Sequence, residues 1–253
     1  RSGRTSGIKR IMTVNLLKRL ESSVEAFRLT MLGMLDLNRA ELKRLSYYNA
    51  GQMRPDAYAT KKVFNYEMFD QDEDGSLNLV QTDKGKEIHI EYADIDRLSW
   101  QKAMEHDVEI LEYLINELGK ITPEYDLKLQ TLKEIIDIKI KNPINAGNRK
   151  FLIFSAFADT ANYLYENLHK WLKDTYGIES AMIEGQANKV SLRHCPKKTN
   201  TLLTMFSPIS KNRDQVFSWM HRQIESYNDP KLNWSAKIDK HEFDDCFKDI
   251  DVL

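Results

Sequence analysis

Two cysteines in 253 residues, Cys195 and Cys246, are too few and too far apart for a disulfide framework, and neither sits in a C-x-x-C pair that would suggest zinc. That usage suits a reducing compartment, and a cytoplasmic location is expected. No apolar run approaches the roughly 20 residues of a membrane-spanning helix, and the opening RSGRTSGIKR lacks the apolar centre of a signal peptide. No membrane partner is expected. Charge of one sign is also missing: 37 basic and 38 acidic side chains leave a formal net charge of -1. No global field advertises a polyanion, although a local patch stays open.

Complete catalytic constellations are missing too. The chain has no G-x-x-x-x-G-K-[ST], G-x-G-x-x-G, H-E-x-x-H or G-x-S-x-G. His194 beside Cys195 lacks partners spaced to complete a metal site or a thiol-imidazole pair, and carboxylates such as Glu105 and Glu109 read as a solvated helix face. No catalytic residue is expected. The acidic run DQDEDGSLNLVQ comes nearest to a metal motif. Asp70, Asp72, Asp74, Gly75 and Asn78 fall at the first, third, fifth, sixth and ninth positions of an EF-hand loop, but Gln81 stands where the bidentate glutamate belongs. A solvated acidic linker is the preferred reading over a calcium site.

With 42% hydrophobic residues, the chain can fill one large core or two small ones. After a basic start expected to be flexible, Val14, Leu17, Leu20, Val24, Phe27, Leu29, Met31 and Leu32 predict one long helix, with Lys18, Arg19 and Arg28 beside its apolar stripe. Arg54-Pro55-Asp56 reads as a break and Glu87–Tyr92 as a short strand. From Asp94 to Leu118, Leu98, Met104, Val108, Leu111 and Ile115 recur at helical spacing, with Gly119 as a stop. Thr122-Pro123-Glu124 carries start signals for a second helix, running to about Lys141 with Leu129, Leu132, Ile135, Ile136 and Ile140 inward. An antiparallel helical hairpin is expected from these two.

The centre of the sequence is Asn148–Leu172. The apolar run Phe151–Phe154 suits a strand buried on both faces, Ser155–Asp159 a turn, and Ala161, Leu164, Tyr165, Leu168, Trp171 and Leu172 an amphipathic helix. Glu179–Ile183 then predicts a second strand, parallel to the first through a right-handed crossover. Lys189–Lys198 is basic, Thr199 is placed to cap a short helix ending at Phe206, and Phe217, Met220, Ile224 and Tyr227 continue a helical pattern. Asp239–Asp251 is expected to be an exposed acidic tail, with Phe243, Phe247 and Ile250 able to dock one face. The fold class expected is α/β with a large helical part: long antiparallel helices followed by a partial parallel βαβ lobe. In such sheets ligands gather at the carboxyl ends of the strands, which singles out Ser155-Ala156-Phe157.

NRKFLIFSAFADTANYLYENL resembles the opening of the second RecA-like lobe of superfamily-two helicases, the strand and turn called motif IV, in the form found in bacterial Swi/Snf-related, DEAD-box-like helicases. VNLLKRLESSVEAFRLTM resembles the segment after their first lobe. DRLSWQKAMEHDVEIL with ITPEYDLKLQTLKEII is similar to their inter-lobe insertion, and MIEG followed by LLTMFSPISK to the approach to motif V. The likeness covers residues 10–213. It implies a helical segment over 1–60, an acidic linker and strand over 61–93, the insertion over 94–147, a partial RecA-like lobe over 148–213, and a tail of unclear role over 214–253.

What the resemblance implies for function is a fragment of an ATP-dependent helicase or translocase. The motif IV positions Ser155, Ala156, Phe157 and Thr160, and Gly185 after the next strand, would touch a DNA or RNA backbone, with Arg193, Lys197 and Lys198 adding charge. ATP and Mg2+ would belong to the parent protein, whose first RecA-like lobe would be this chain's partner. No cofactor is assigned to this chain, and no ATPase activity is expected from it alone. The alternative is a non-catalytic module whose helical insertion docks a partner protein.

Overall fold

The computed structural model describes residues 2–53, 91–185, 188–215, 217, 218, 245 and 248–253. It divides into two units, Arg1–Lys128 with Ala156–Thr160, and Leu129–Ser155 with Ala161–Leu253.

The first unit is built on α1 (Ser2–Ser22), α2 (Val24–Asn49) and α3 (Arg97–Gly119), with α2 packed against both of the others. The expected single helix is therefore two. Ser23 breaks it with extended backbone (φ −157°, ψ 153°), and its hydroxyl accepts the Ala26 N–H at 3.0 Å, a helix-start bond that a mid-helix serine forgoes. The basic opening expected to be flexible is helical from Ser2. Met31, Leu35 and Leu111 are the buried centre of the packing between α2 and α3, flanked by Phe27, Val108, Ile115 and Leu118. Each such side chain contributes about 1.5–3 kcal/mol on burial.

Farther along α2, Leu45 and Met104 pack with Tyr92, which opens a short 3-10 turn (Tyr92–Asp94) where the end of a strand was expected. The Tyr92 hydroxyl donates to Glu41 at 2.6 Å, and burial together with that carboxylate pushes its pKa up to about 12. Asp96 caps α3 by accepting the Ser99 N–H. The strand positions 87–90 and the Arg54-Pro55-Asp56 break lie outside the described residues.

In the second unit, α4 (Leu127–Lys141) contributes Leu129 and Ile136 to a core shared with Leu168 and Leu172 of α5 (Ala158–Tyr176), Ile178 and Val252. α3, expected to pair with α4 in a hairpin, packs on α2 within the first unit. α4 also starts later than Thr122 predicts. The Thr122 hydroxyl is spent on Glu124, whereas the Asp126 carboxylate accepts the Lys128 N–H at 3.0 Å. Ile135, expected inward, is 57% exposed. α5 ends in an αL cap: Gly177, at φ +65°, donates its N–H to Lys173 O, and Ile178 N–H bonds Leu172 O.

The named sheet is small and antiparallel, β1 (Ala181–Met182) with β2 (Lys189–Val190), pairing Ala181 with Val190 and Met182 with Lys189. The expected parallel lobe is reduced, among the described residues, to two single parallel bridges, Phe151 to Val252 and Ser180 to Val252. Backbone bonds from Phe151 and Ile153 to Asp251 and Leu253, and from Ala181 to Val252, place residues 251–253 between the two predicted strands. Those strands share a direction but are not neighbours. Phe151–Phe154 is not buried on both faces either, since Leu152 is 47% and Phe154 89% exposed.

The acidic tail docks at its end, as the apolar Ile250 allowed. Ile250 is fully buried against Met205, Phe217 and Leu202, and Val252 is buried as well. Its carboxylates are held by cations: Arg149 and Lys150 face Asp251, and Lys150 and Arg213 face Asp249. α6 (Thr199–Phe206) forms as expected, but its N-cap residue is Lys198 rather than Thr199.

Candidate nucleic-acid interface

The expected contact residues divide between the units: Ala156, Phe157 and Thr160 lie in the first, and Ser155, Gly185, Arg193, Lys197 and Lys198 in the second. In the first unit, the turn leads into the start of α5, where Asp159 stands in the first helical turn and suits the positive end of the helix dipole. Arg19, only 5% exposed, pairs with that carboxylate and lies 5.0 Å over the Phe157 ring. Its Nε also donates to Ala26 O at 3.3 Å.

Thr160 Oγ1 lies 2.8 Å from both Ser22 Oγ and Ser23 Oγ. Either oxygen of each pair can be the donor, and Thr160 Oγ1, with one hydrogen and two lone pairs, can take part in both bonds at once. Ala156 is exposed, but the hydroxyl and charge nearest the helix start are already paired inside the protein. Asp159 therefore presents no uncompensated negative charge to an approaching anion, and Thr160 is buried with its hydroxyl against both serines.

The second unit offers a different kind of surface. Along the segment after β2, Leu192, Cys195 and Pro196 are buried while Arg193, His194, Lys197 and Lys198 are exposed. The apolar anchors thus turn the cations outward. Cys195 serves the core, with its sulfur 3.6 Å from Met205 Sδ, which accounts for it without thiol chemistry. His194 N–H donates to the Asp245 carboxylate at 3.0 Å. Burial pushes that carboxyl up, but the Lys248 ammonium and the His194 N–H outweigh it and hold the group below its ordinary range.

Gly185 is exposed, with φ +45°, at the turn that follows β1. The side chain of Asn188 joins this turn to the cationic segment. It accepts from Glu184 N–H at 3.0 Å and donates to Lys197 O at 2.9 Å and Thr199 Oγ1 at 3.0 Å. Glu184 in turn accepts from the Asn162 amide of α5. Lys189 bonds Glu166 at 2.7 Å and holds that carboxyl below its ordinary range.

Sequence reasoning passed over Arg19, Ser22, Ser23, Asp159 and Asn188. The pair Ser22-Ser23 ahead of Glu25 has the spacing of a helix-start box and was a readable signal, although Glu25 pairs with Arg28 instead of the backbone. Nothing local marks Arg19, whose partner Asp159 is distant in the chain, and no motif marks Asn188 although its partners Glu184, Lys197 and Thr199 are near. The EF-hand-like Asp70, Asp72, Asp74 and Asn78 lie outside the described residues. Among the described residues no group of three or more His, Cys, Asp or Glu is placed to hold a metal, and no helix is long and apolar enough to cross a membrane. No protein-family model, curated protein or solved structure matches the chain.

Proposed function

We propose that the chain is part of an ATP-dependent nucleic-acid helicase or translocase related to the bacterial Swi/Snf-type enzymes of superfamily two, and that it contributes backbone contacts rather than ATP chemistry. The observation that carries this reading is the row Arg193, Lys197 and Lys198, exposed by its buried neighbours and tied through Asn188 to the Gly185 turn. A cationic row on ordered backbone holds phosphates without reading sequence.

ATP and Mg2+ do not fit the residues of this chain, which has neither a phosphate-cradling G-x-x-x-x-G-K-[ST] nor a Q-R-x-G-R arginine motif. Both belong, in this proposal, to a first RecA-like lobe in the parent protein. The chain alone is expected to release no phosphate from ATP above a buffer blank, with or without DNA. Reversing the charge at Lys197 and Lys198 to Glu is the direct test of the surface: oligonucleotide binding should weaken and its salt dependence flatten. An unchanged slope counts against the proposal.

A second reading, a non-catalytic module that docks a partner protein, draws on the exposed Leu98 and Tyr113 of α3. It becomes the leading one if the chain binds neither DNA nor RNA at about 50 mM salt, where phosphate contacts are strongest.

A further inference from the structure

We infer that Asn188 is the positioning residue of this cationic surface. Its amide holds the Gly185 turn and the Lys197–Thr199 segment in one fixed register, so that a nucleic-acid backbone meets both together. The inference rests on the reading of Gly185, Lys197 and Lys198 as backbone contacts, and it adds a residue that touches no nucleic acid itself.

The geometry uses nearly the whole capacity of a primary amide, which offers two donor hydrogens and an oxygen acceptor. Oδ1 takes the Glu184 N–H, at the entrance to the Gly185 turn, and Nδ2 gives its hydrogens to Lys197 O and Thr199 Oγ1. Rotating the amide by half a turn would set Oδ1 against the Lys197 carbonyl and Nδ2 against the Glu184 N–H. The network therefore fixes its orientation. An aspartate at 188 would lack the donors, and an alanine would lack everything.

The two groups on the cationic side bracket Lys198, which is also the N-cap of α6 with extended backbone (φ −82°, ψ 136°). Lys197 and Lys198 are thus tethered through their backbone while both side chains stay exposed. On the other side, Gly185 occupies the left-handed region and Glu184 is itself held by Asn162. Backbone ordered before binding need not be ordered during it, so phosphate contacts made from both segments together cost less freedom.

The test compares three variants of the full chain, Lys197→Ala/Lys198→Ala, Asn188→Ala and Thr199→Val, binding a fluorescent single-stranded DNA of about 20 nucleotides across a salt series. The lysine pair should flatten the slope of log K against log salt by about 1.4, or about 0.7 for each phosphate no longer neutralised. Asn188→Ala, which keeps every cation, should lower affinity by about 3- to 10-fold and flatten the slope by about 0.7, because one lysine no longer meets its phosphate in register. A merely structural asparagine would shift the thermal midpoint and leave the slope alone. Thr199→Val removes a single acceptor of Asn188 and keeps the test alive if Asn188→Ala does not fold, with a smaller flattening expected.

A wild-type slope in Asn188→Ala, or in Thr199→Val where the first does not fold, with a flattened slope in the lysine pair overturns the role of Asn188 and leaves the surface standing. An unchanged slope in the lysine pair overturns the surface and Asn188 with it.

Discussion

The turn before α5 and the segment before α6 were both expected to meet a nucleic-acid backbone, yet they are built in opposite ways. At the first, Arg19, Asp159, Ser22, Ser23 and Thr160 satisfy one another at low exposure. At the second, buried Leu192, Cys195 and Pro196 push cations outward, and an amide fixes only their backbone. Polar groups that fill one another's valences stabilise a fold. Polar groups fixed at the backbone and open at the tip are ready for something else. The contrast teaches that a loop's position at the end of a strand is weaker evidence for binding than the remaining capacity of its side chains.

Substitutions in the two regions should separate stability from binding. Arg19→Ala should have the largest effect, a loss of roughly 3 kcal/mol in urea unfolding, because it leaves Asp159 half-buried without its counter-charge. Pairing it with Asp159→Leu should recover much of that loss, since the second charge is then gone as well. Thr160→Val, which strands the hydroxyls of Ser22 and Ser23, should cost about 2 kcal/mol by the same measurement. Lys198→Ala should stay within about 0.5 kcal/mol of wild type while binding changes. Equal destabilisation at Thr160 and Lys198 would erase the distinction.

The smallest effect concerns a partly exposed pair in the second unit. The Tyr176 hydroxyl donates to Asp137, and that bond, helped by burial, pushes the phenol up to about 12. The raised pKa favours the neutral form in the folded state. Its contribution is therefore complete below the unfolded value near 10 and disappears as pH rises toward about 12. The difference in urea midpoint between wild type and Tyr176→Phe should close across that window. A difference that stays constant to about pH 12 would show that the bond is not what Tyr176 contributes.

Helix spans were legible where periodicity and stop signals agree, and the starts at Thr122 and Ser23 were not, although their partners are near. The span of α5, its apolar stripe with Leu168 and Leu172 buried, the end of α4 near Asn142-Pro143 and the span of α6 all follow from periodicity and stop signals. The break at Ser23 was hidden because the apolar pattern runs through it, and only the capping preference of paired serines argues otherwise. The partner of α3 was not legible at all. Two helices joined by a short turn imply a hairpin, whereas the packing of α3 within its own unit uses the apolar face of α2, far earlier in the chain. Asp239–Asp251 misled for the opposite reason. Its charge density argued for exposure against the docking open to Ile250, and the cations that compensate those carboxylates, Arg149, Lys150 and Arg213, are written far upstream.

Val252 joins Phe151 to Ser180 across a long separation in sequence. A ribosome releases Phe151 and Ser180 well before Val252, so during synthesis the two earlier segments must wait apart, with the main-chain groups that will face residues 251–253 still bonded to water. Pairings this distant in sequence are slow to close and leave strand edges open in the meantime. Residues 251–253 can join the two earlier segments only after both have been made, and a chain cut before them would leave both without that shared partner.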